Sequence, residues 1–241
     1  MTNYPAPWEQ KWAADQAALM QRVAALERQI ANLTSGPVAV TSSTHPASPV
    51  IGQEILETDT GLTAQWNGTS WVYGPQLIAK RLLGSTTASI TFSVPSAPAF
   101  SALRVAWNAR SDNASPATFM CVQFNADTGS HYLWQNNQAH SATIGPGNSG
   151  AATTLIEVGT MAAASATASY IGGGEFVVSN ASGTAFKAVT AHSTSMDAAN
   201  DGFSGTYGGL WLASAAITSI TLLPLNGNFV AGSSAYLYGE T

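Results

Sequence analysis

Apolar residues in the first 33 positions recur by threes and fours: Trp12, Leu19, Val23, Leu26, Ile30 and Leu33. That spacing draws one narrow stripe along a helix, with Val23 and Ile30 at heptad a, Leu19, Leu26 and Leu33 at d, and Gln16 as a polar a position. Alanines at 13, 14, 17, 18, 24 and 25 supply the best helix former between them. No Gly or Pro interrupts this pattern until Gly36-Pro37, which stop it. The prediction is a helix of roughly 25 residues, about 40 Å long.

Within it, RVAALE places Arg22 at g and Glu27 at the following e position, where the two reach across to neighbouring helices in a parallel coiled coil. Arg22, Val23, Leu26 and Glu27 together resemble the trimer signature of short parallel coiled coils, in which the arginine stem covers the apolar seam. Val and Ile at a with Leu at d by themselves suit two strands. The heptads alone therefore leave dimer and trimer open, and a helix lying on the chain's own β domain is the remaining reading.

Past the helix the period drops to two. Residues 35–49, with three prolines and many Ser and Thr, read as an extended linker in which His45 stands alone. Residues 50–79 read as a β-meander module: strands EILET, LTAQW and SWVY, with Asn67-Gly68 as a two-residue hairpin turn and Trp66 near Trp71 across it. A meander of that size needs something to pack on. From 80 to 241 every readable element is a strand. ALRVAWNAR alternates Leu103, Val105 and Trp107 on one face with Arg104, Asn108 and Arg110 on the other. Turn residues recur throughout. The expected fold is mainly β: an N-terminal segment and coiled-coil helix over 1–34, the linker, the meander, and a C-terminal, jelly-roll-like β-sandwich.

Composition narrows the chemistry. Only 9% of the 241 residues are charged, the net charge is −5, and no run of Lys or Arg offers itself to phosphates, so neither nucleic acid nor an anionic membrane surface is an expected partner. Cys121 is the single cysteine, set in the apolar run TFMCVQF, and reads as a buried thiol. The N-terminus lacks the basic-then-apolar pattern of a signal peptide, and no segment is apolar enough to span a bilayer.

Four histidines (45, 131, 140 and 192) show no HxH or HExxH spacing, and no GxSxG elbow occurs. The acidic residues after position 80 show no marked pair for glycoside hydrolysis. Asp197, Asn200 and Asp201 in MDAANDG lack calcium-loop spacing and read as a polar turn. IGGGE and GTYGG read as turns. The expectation is no catalytic residue, no metal and no cofactor. Binding has one candidate, HYLWQNNQAH, where Tyr132, Trp134, Asn136 and Asn137 combine aromatic faces with amides suited to sugar rings. Tyr132 and Trp134, two apart on a strand, equally suit the core.

The stretches SITFSVP, LRVAWNARSD, VQFNADTGSHY and the terminal LWLASAAITSITLLPLNGNFVAGSSAYLYGE resemble a domain at the C-terminus of bacteriophage tail and tail-fibre proteins, notably in phages of actinobacteria. ETDTG and WNGTSWV resemble a module found upstream in such proteins. The likeness touches most of the chain after residue 46, loosely over 136–205. Ala126 stands where that family often has Gly, and Glu240-Thr241 extend past its usual end. The resemblance implies a homotrimeric tail-tip, baseplate or fibre component, made in the host cytoplasm and localised to the virion. Other tail proteins would hold its N-terminus, and its C-terminal domain would contact a host-surface glycan. A purely structural trimer and a glycan-cleaving tail enzyme are the alternatives.

Overall fold

The computed structural model describes residues 7–34, 36–96, 99–141, 143–145, 147–198 and 201–240. Among them the chain is mainly β, with one helix and 17 strands, and it divides into two compact units, residues 1–74 and 75–241.

The first unit opens with α1 (Pro7–Thr34), 28 residues and about 42 Å long. Pro7 suits the first helical position because its lost N–H has no intrahelical partner there. Gly36, at φ 70°, ends it in the left-handed conformation that glycine takes without strain. Every α1 side chain that is described faces solvent except half-buried Ala24. The side chain of Leu33, expected in the seam, lies outside the described residues, as do residues 1–6 of the expected attachment segment.

Residues 35–49 are more than a linker. β1 (Val38–Val40) pairs in parallel with β2 (Glu54–Glu57), which continues into β3 (Leu62–Trp66) and β4 (Trp71–Tyr73) as one four-stranded sheet. Three residues are too few to show a period, so β1 left no pattern to read. The segment is tied down again by Asp59, whose carboxylate accepts from the Ser42 amide at 2.9 Å and the Ser42 hydroxyl at 2.7 Å.

Nor is His45 alone. Its Nε2 lies 2.6 Å from the buried carboxylate of Glu57, which also accepts from the Thr60 hydroxyl at 2.7 Å and from the Tyr73 hydroxyl. Burial would raise the Glu57 carboxyl, but hydrogen bonds from Tyr73, Thr60 and His45 outweigh it and hold the group below its ordinary value. Trp66 and Trp71 do pair, 5.5 Å between centroids. The loop between them has four residues rather than two, because Asn67 Oδ1 caps the amides of both Thr69 and Ser70 at 2.8 Å.

The second unit begins a few residues before the expected position 80, since β5 (Gln76–Leu82) belongs to it. Its further strands are β6 (Ile90–Ser93), β7 (Ala102–Ala109), β8 (Ala117–Phe124), β9 (Tyr132–His140), β10 (Thr143–Ile144), β11 (Asn148–Thr153), β12 (Ile156–Ala162), β13 (Gly172–Ser179), β14 (Lys187–Ala198), β15 (Asp201–Trp211), β16 (Ser219–Pro224) and β17 (Ser234–Glu240). A large sheet runs β10-β9-β15-β14-β13-β7-β17-β5, with β11 also on β9, and a small one runs β12-β8-β16-β6. The alternation in β7 holds: Leu103, Val105 and Trp107 are buried. They share the core with Phe176 and Val178 of the large sheet and with Val122, Phe124, Ile220 and Leu222 of the small one.

The sheets meet through β12, which is buried along its whole length and packs against β13, β14 and β15. Glycines allow the approach. A Cβ at Gly159 would fall 2.4 Å from Trp107 Cζ2, one at Gly172 2.5 Å from Met161 Cα, and one at Gly209 2.6 Å from Ile156 Cγ2. IGGGE and GTYGG, expected as turns, therefore lie within β13 and β15 as strand glycines that another backbone presses against. Gly159→Ala is expected to cost about 1–3 kcal/mol, because the Trp107 ring has to move. Gly208→Ala, whose Cβ would meet only Val189 O at 3.7 Å, is expected to change stability by less than about 1 kcal/mol. Denaturant unfolding of the two variants checks the contrast.

Candidate functional site

All of HYLWQNNQAH but His131 forms β9, paired with β15 on one side and β11 on the other. Its alternation sorts the four predicted ligand residues. Tyr132, Trp134 and Asn136 share the face toward the small sheet, and Asn137 points the opposite way. Tyr132 is fully buried; its ring packs on Phe124 and Trp211, and its hydroxyl donates to Asp127 O at 2.9 Å while accepting from the Phe124 amide at 3.1 Å. Burial raises its phenol, in keeping with a core role. Trp134 is half-buried against Gly150, where a Cβ would fall 2.5 Å from its Nε1. The core reading thus holds for Tyr132, and Trp134 offers no exposed ring face on the wet side of the sheet.

On that wet side lies an open trough of about 840 Å³, crossing β11, β9 and β15. Trp134, Asn136 and Asn137 border it, and Tyr132 does not. By strand parity its side chains come from Leu133, Gln135 and Asn137 of β9, Thr206 and Leu210 of β15, and Ser149 and Ala151 of β11. Gly208, opposite Gln135, leaves the floor open. Amides and hydroxyls beside leucine side chains can accept hydrogen bonds from a polyhydroxylated ligand, donate to it, and cover its C–H faces. Gln135 and Thr206 escaped notice in the sequence. Odd-even parity from a buried Tyr132 would have marked Gln135.

Behind the trough, Asn136 donates through Nδ2 to Glu157 Oε2 at 3.1 Å and accepts from the Asn148 amide at 3.3 Å. Glu157 lies in β12 between the sheets, and burial pushes its carboxyl up to about 7 against only one hydrogen bond that favours the charged form. Cys121, opposite it in the small sheet, is a buried free thiol whose ionisation burial opposes.

At the far end of β9, His140 Nε2 lies 3.1 Å from Asp197 Oδ2 and 3.4 Å from Asp201 Oδ2. The pairing of β9 with β15, and of β15 with β14, brings these residues together across the chain, Asp197 from 57 positions beyond His140. Of MDAANDG, expected as a polar turn, residues 196–198 end β14 and 201–202 open β15, while Ala199 and Asn200 lie outside the described residues. The expected trimerisation residues Arg22, Val23, Leu26, Glu27 and Ile30 all lie on α1 with exposed side chains.

No family model matches the chain, and no curated protein does. Among solved structures, the exo-inulinase from Aspergillus awamori aligns over 78% of this chain and 34% of its own, at 8% identity and a TM-score of 0.32. The chain spans about a third of that enzyme's length, and a likeness so weak carries no functional weight.

Glu157 sets a pH dependence. Below its ordinary value of 4.5 the carboxyl is protonated folded or unfolded; from there to about 7 the folded chain keeps a proton that the unfolded chain has released. Its contribution to stability therefore falls as pH rises through that window and levels off above it. Glu157→Gln, neutral at every pH, is expected to match the parent near pH 4.5 and to exceed it at pH 8. Thermal unfolding at the two pH values reads the difference.

Proposed function

We propose that this chain is a structural and adhesive component of a bacteriophage tail tip, fibre or spike, assembled as a homotrimer through α1. The observation that carries the reading is the apolar seam of that helix. In the single chain Leu19, Val23, Leu26 and Ile30 are 60, 40, 56 and 62% exposed, and a stripe of that kind on a 28-residue helix wants partner helices. Arg22 and Glu27 flank it at g and e positions, where they would pair between chains. The terminal motifs that resemble phage tail proteins supply the setting, a virion assembled in a host cytoplasm, with other tail proteins holding the N-terminus.

The second unit, in this reading, is a jelly-roll-like β-sandwich that presents the trough over Asn137, Gln135 and Thr206 to a host-surface glycan. The chain crosses between its sheets from β5 to β9, again at β12 and β13, and again at β16 and β17, which accords with that architecture. Its role is assembly and binding, without a catalytic step. A trimer that binds no receptor is the plainer alternative.

Light scattering on the full chain is expected to give the mass of three chains, and Val23→Asp with Leu26→Asp that of one. A parent mass of one chain would refute the assembly. On an array of bacterial envelope glycans, Gln135→Ala with Asn137→Ala is expected to weaken binding about tenfold or more, since two hydrogen bonds to a ligand are worth on the order of 1–3 kcal/mol. Parent protein that retains nothing on the array would leave the purely structural trimer.

A further inference from the structure

The end of β9 and the tip of the β14–β15 hairpin hold three side chains whose ligand atoms converge. His140, Asp197 and Asp201 each offer one such atom within 4.8 Å of the others. A cluster of this composition often needs no ion, since a protonated imidazole can satisfy two carboxylates. Here one oxygen argues otherwise. Asp197 is only 8% exposed, and its Oδ1 is buried without a hydrogen-bond partner among the described residues, while Oδ2 faces His140. A buried carboxylate oxygen with no donor among the described residues is costly, and a cation held by the same carboxylate offsets that cost.

We propose that His140, Asp197 and Asp201 form a binding site for a divalent cation of the zinc type. The separations from the imidazole nitrogen fit. In a tetrahedral site with bonds of about 2.0–2.1 Å, neighbouring ligand atoms stand about 3.3–3.4 Å apart. The two His140–carboxylate distances are 3.1 and 3.4 Å. One imidazole nitrogen with carboxylate oxygens favours zinc over calcium or magnesium, which take oxygen alone.

The surroundings hold the ligands in place. The Phe203 ring stacks on His140 at 4.1 Å between centroids, 3° from parallel, and the Ser141 hydroxyl donates to Asp201 Oδ1. His140 also borders a groove of about 500 Å³ with Phe119, Gln138 and Asn148, so a fourth ligand, water or an oxygen of a bound molecule, can enter from solvent. The ion would pin the hairpin tip to β9, tying the end of the large sheet. The site lies apart from the trough and depends on no reading of it.

The test uses the full chain, stripped with a chelator and dialysed against Zn²⁺ alone. One bound ion per chain is expected, with a thermal transition that rises when zinc is added. His140→Gln and Asp197→Asn are each expected to weaken binding about tenfold or more and to abolish the thermal shift. Asp201→Asn, at a more exposed position, serves if the buried Asp197 variant fails to fold, and His192→Gln, beside Glu175 on the opposite face, is expected to bind like the parent. No saturable zinc binding, equal binding by the three ligand variants, or tighter binding of Ca²⁺ than of Zn²⁺ would each overturn the proposal.

Discussion

Much of the second unit depends on how closely β12 approaches the large sheet. Two sheets packed face to face ordinarily stand about 10 Å apart, a gap filled by side chains from both. Here Trp107 needs most of that space, and β12 gets past it by carrying glycine at 159 where its ring passes. The large sheet answers with Gly172, Gly174 and Gly209 on the same inner face. The seat is finished with hydrogen bonds: the Thr160 amide donates to Ser193 Oγ at 2.9 Å, and the Thr160 and Tyr207 hydroxyls pair at 2.8 Å. Strand glycine costs about 0.5–1 kcal/mol in chain entropy, set against the close packing that a side chain at these positions would block.

That seat reaches the surface through parity. Once β12 fixes which face of the large sheet is dry, every second residue of β9 is assigned. Tyr132 joins Phe124 and Trp211 in the core, Asn136 turns inward to Glu157, and Gln135 and Asn137 are left on the wet side with Thr206 opposite. The trough is thus the back of a core decision. The same inner face, followed past the edge of the small sheet, brings His140, Asp197 and Asp201 together at a margin where solvent can enter.

A chain with so few charges places them with care. Asp127 accepts from Trp211 Nε1 at 2.8 Å, from the Gly129 amide at 2.9 Å and from His131, which together hold its carboxyl below the ordinary range although partial burial works against them. It thereby anchors the FNADTG turn to the aromatic core. Asn125 and Ala126 both sit at φ 53° in that turn. The left-handed conformation is one that glycine takes more readily than alanine, so Ala126 holds it at a steric cost. In the first unit Glu57 plays the corresponding part, gathering His45, Thr60 and Tyr73 around one buried carboxylate.

The period of the apolar residues was enough to locate α1, the alternation in β7 and the hairpin carrying Trp66 and Trp71, because helix and strand each project side chains at a fixed angle per residue. It could not locate β1, three residues long, or the role of IGGGE, since a glycine that lets a neighbour approach and a glycine that makes a turn look the same in one dimension. His45 with Glu57 and His140 with Asp197 and Asp201 lie far apart in sequence, and only strand pairing brings them into contact. The sequence by itself determined the helix, most of the longer strands and which of their faces were apolar. Tertiary structure alone decided which face of β9 stays wet and which distant polar groups meet, because both follow from the seating of one sheet on another, a long-range fit that no local period encodes.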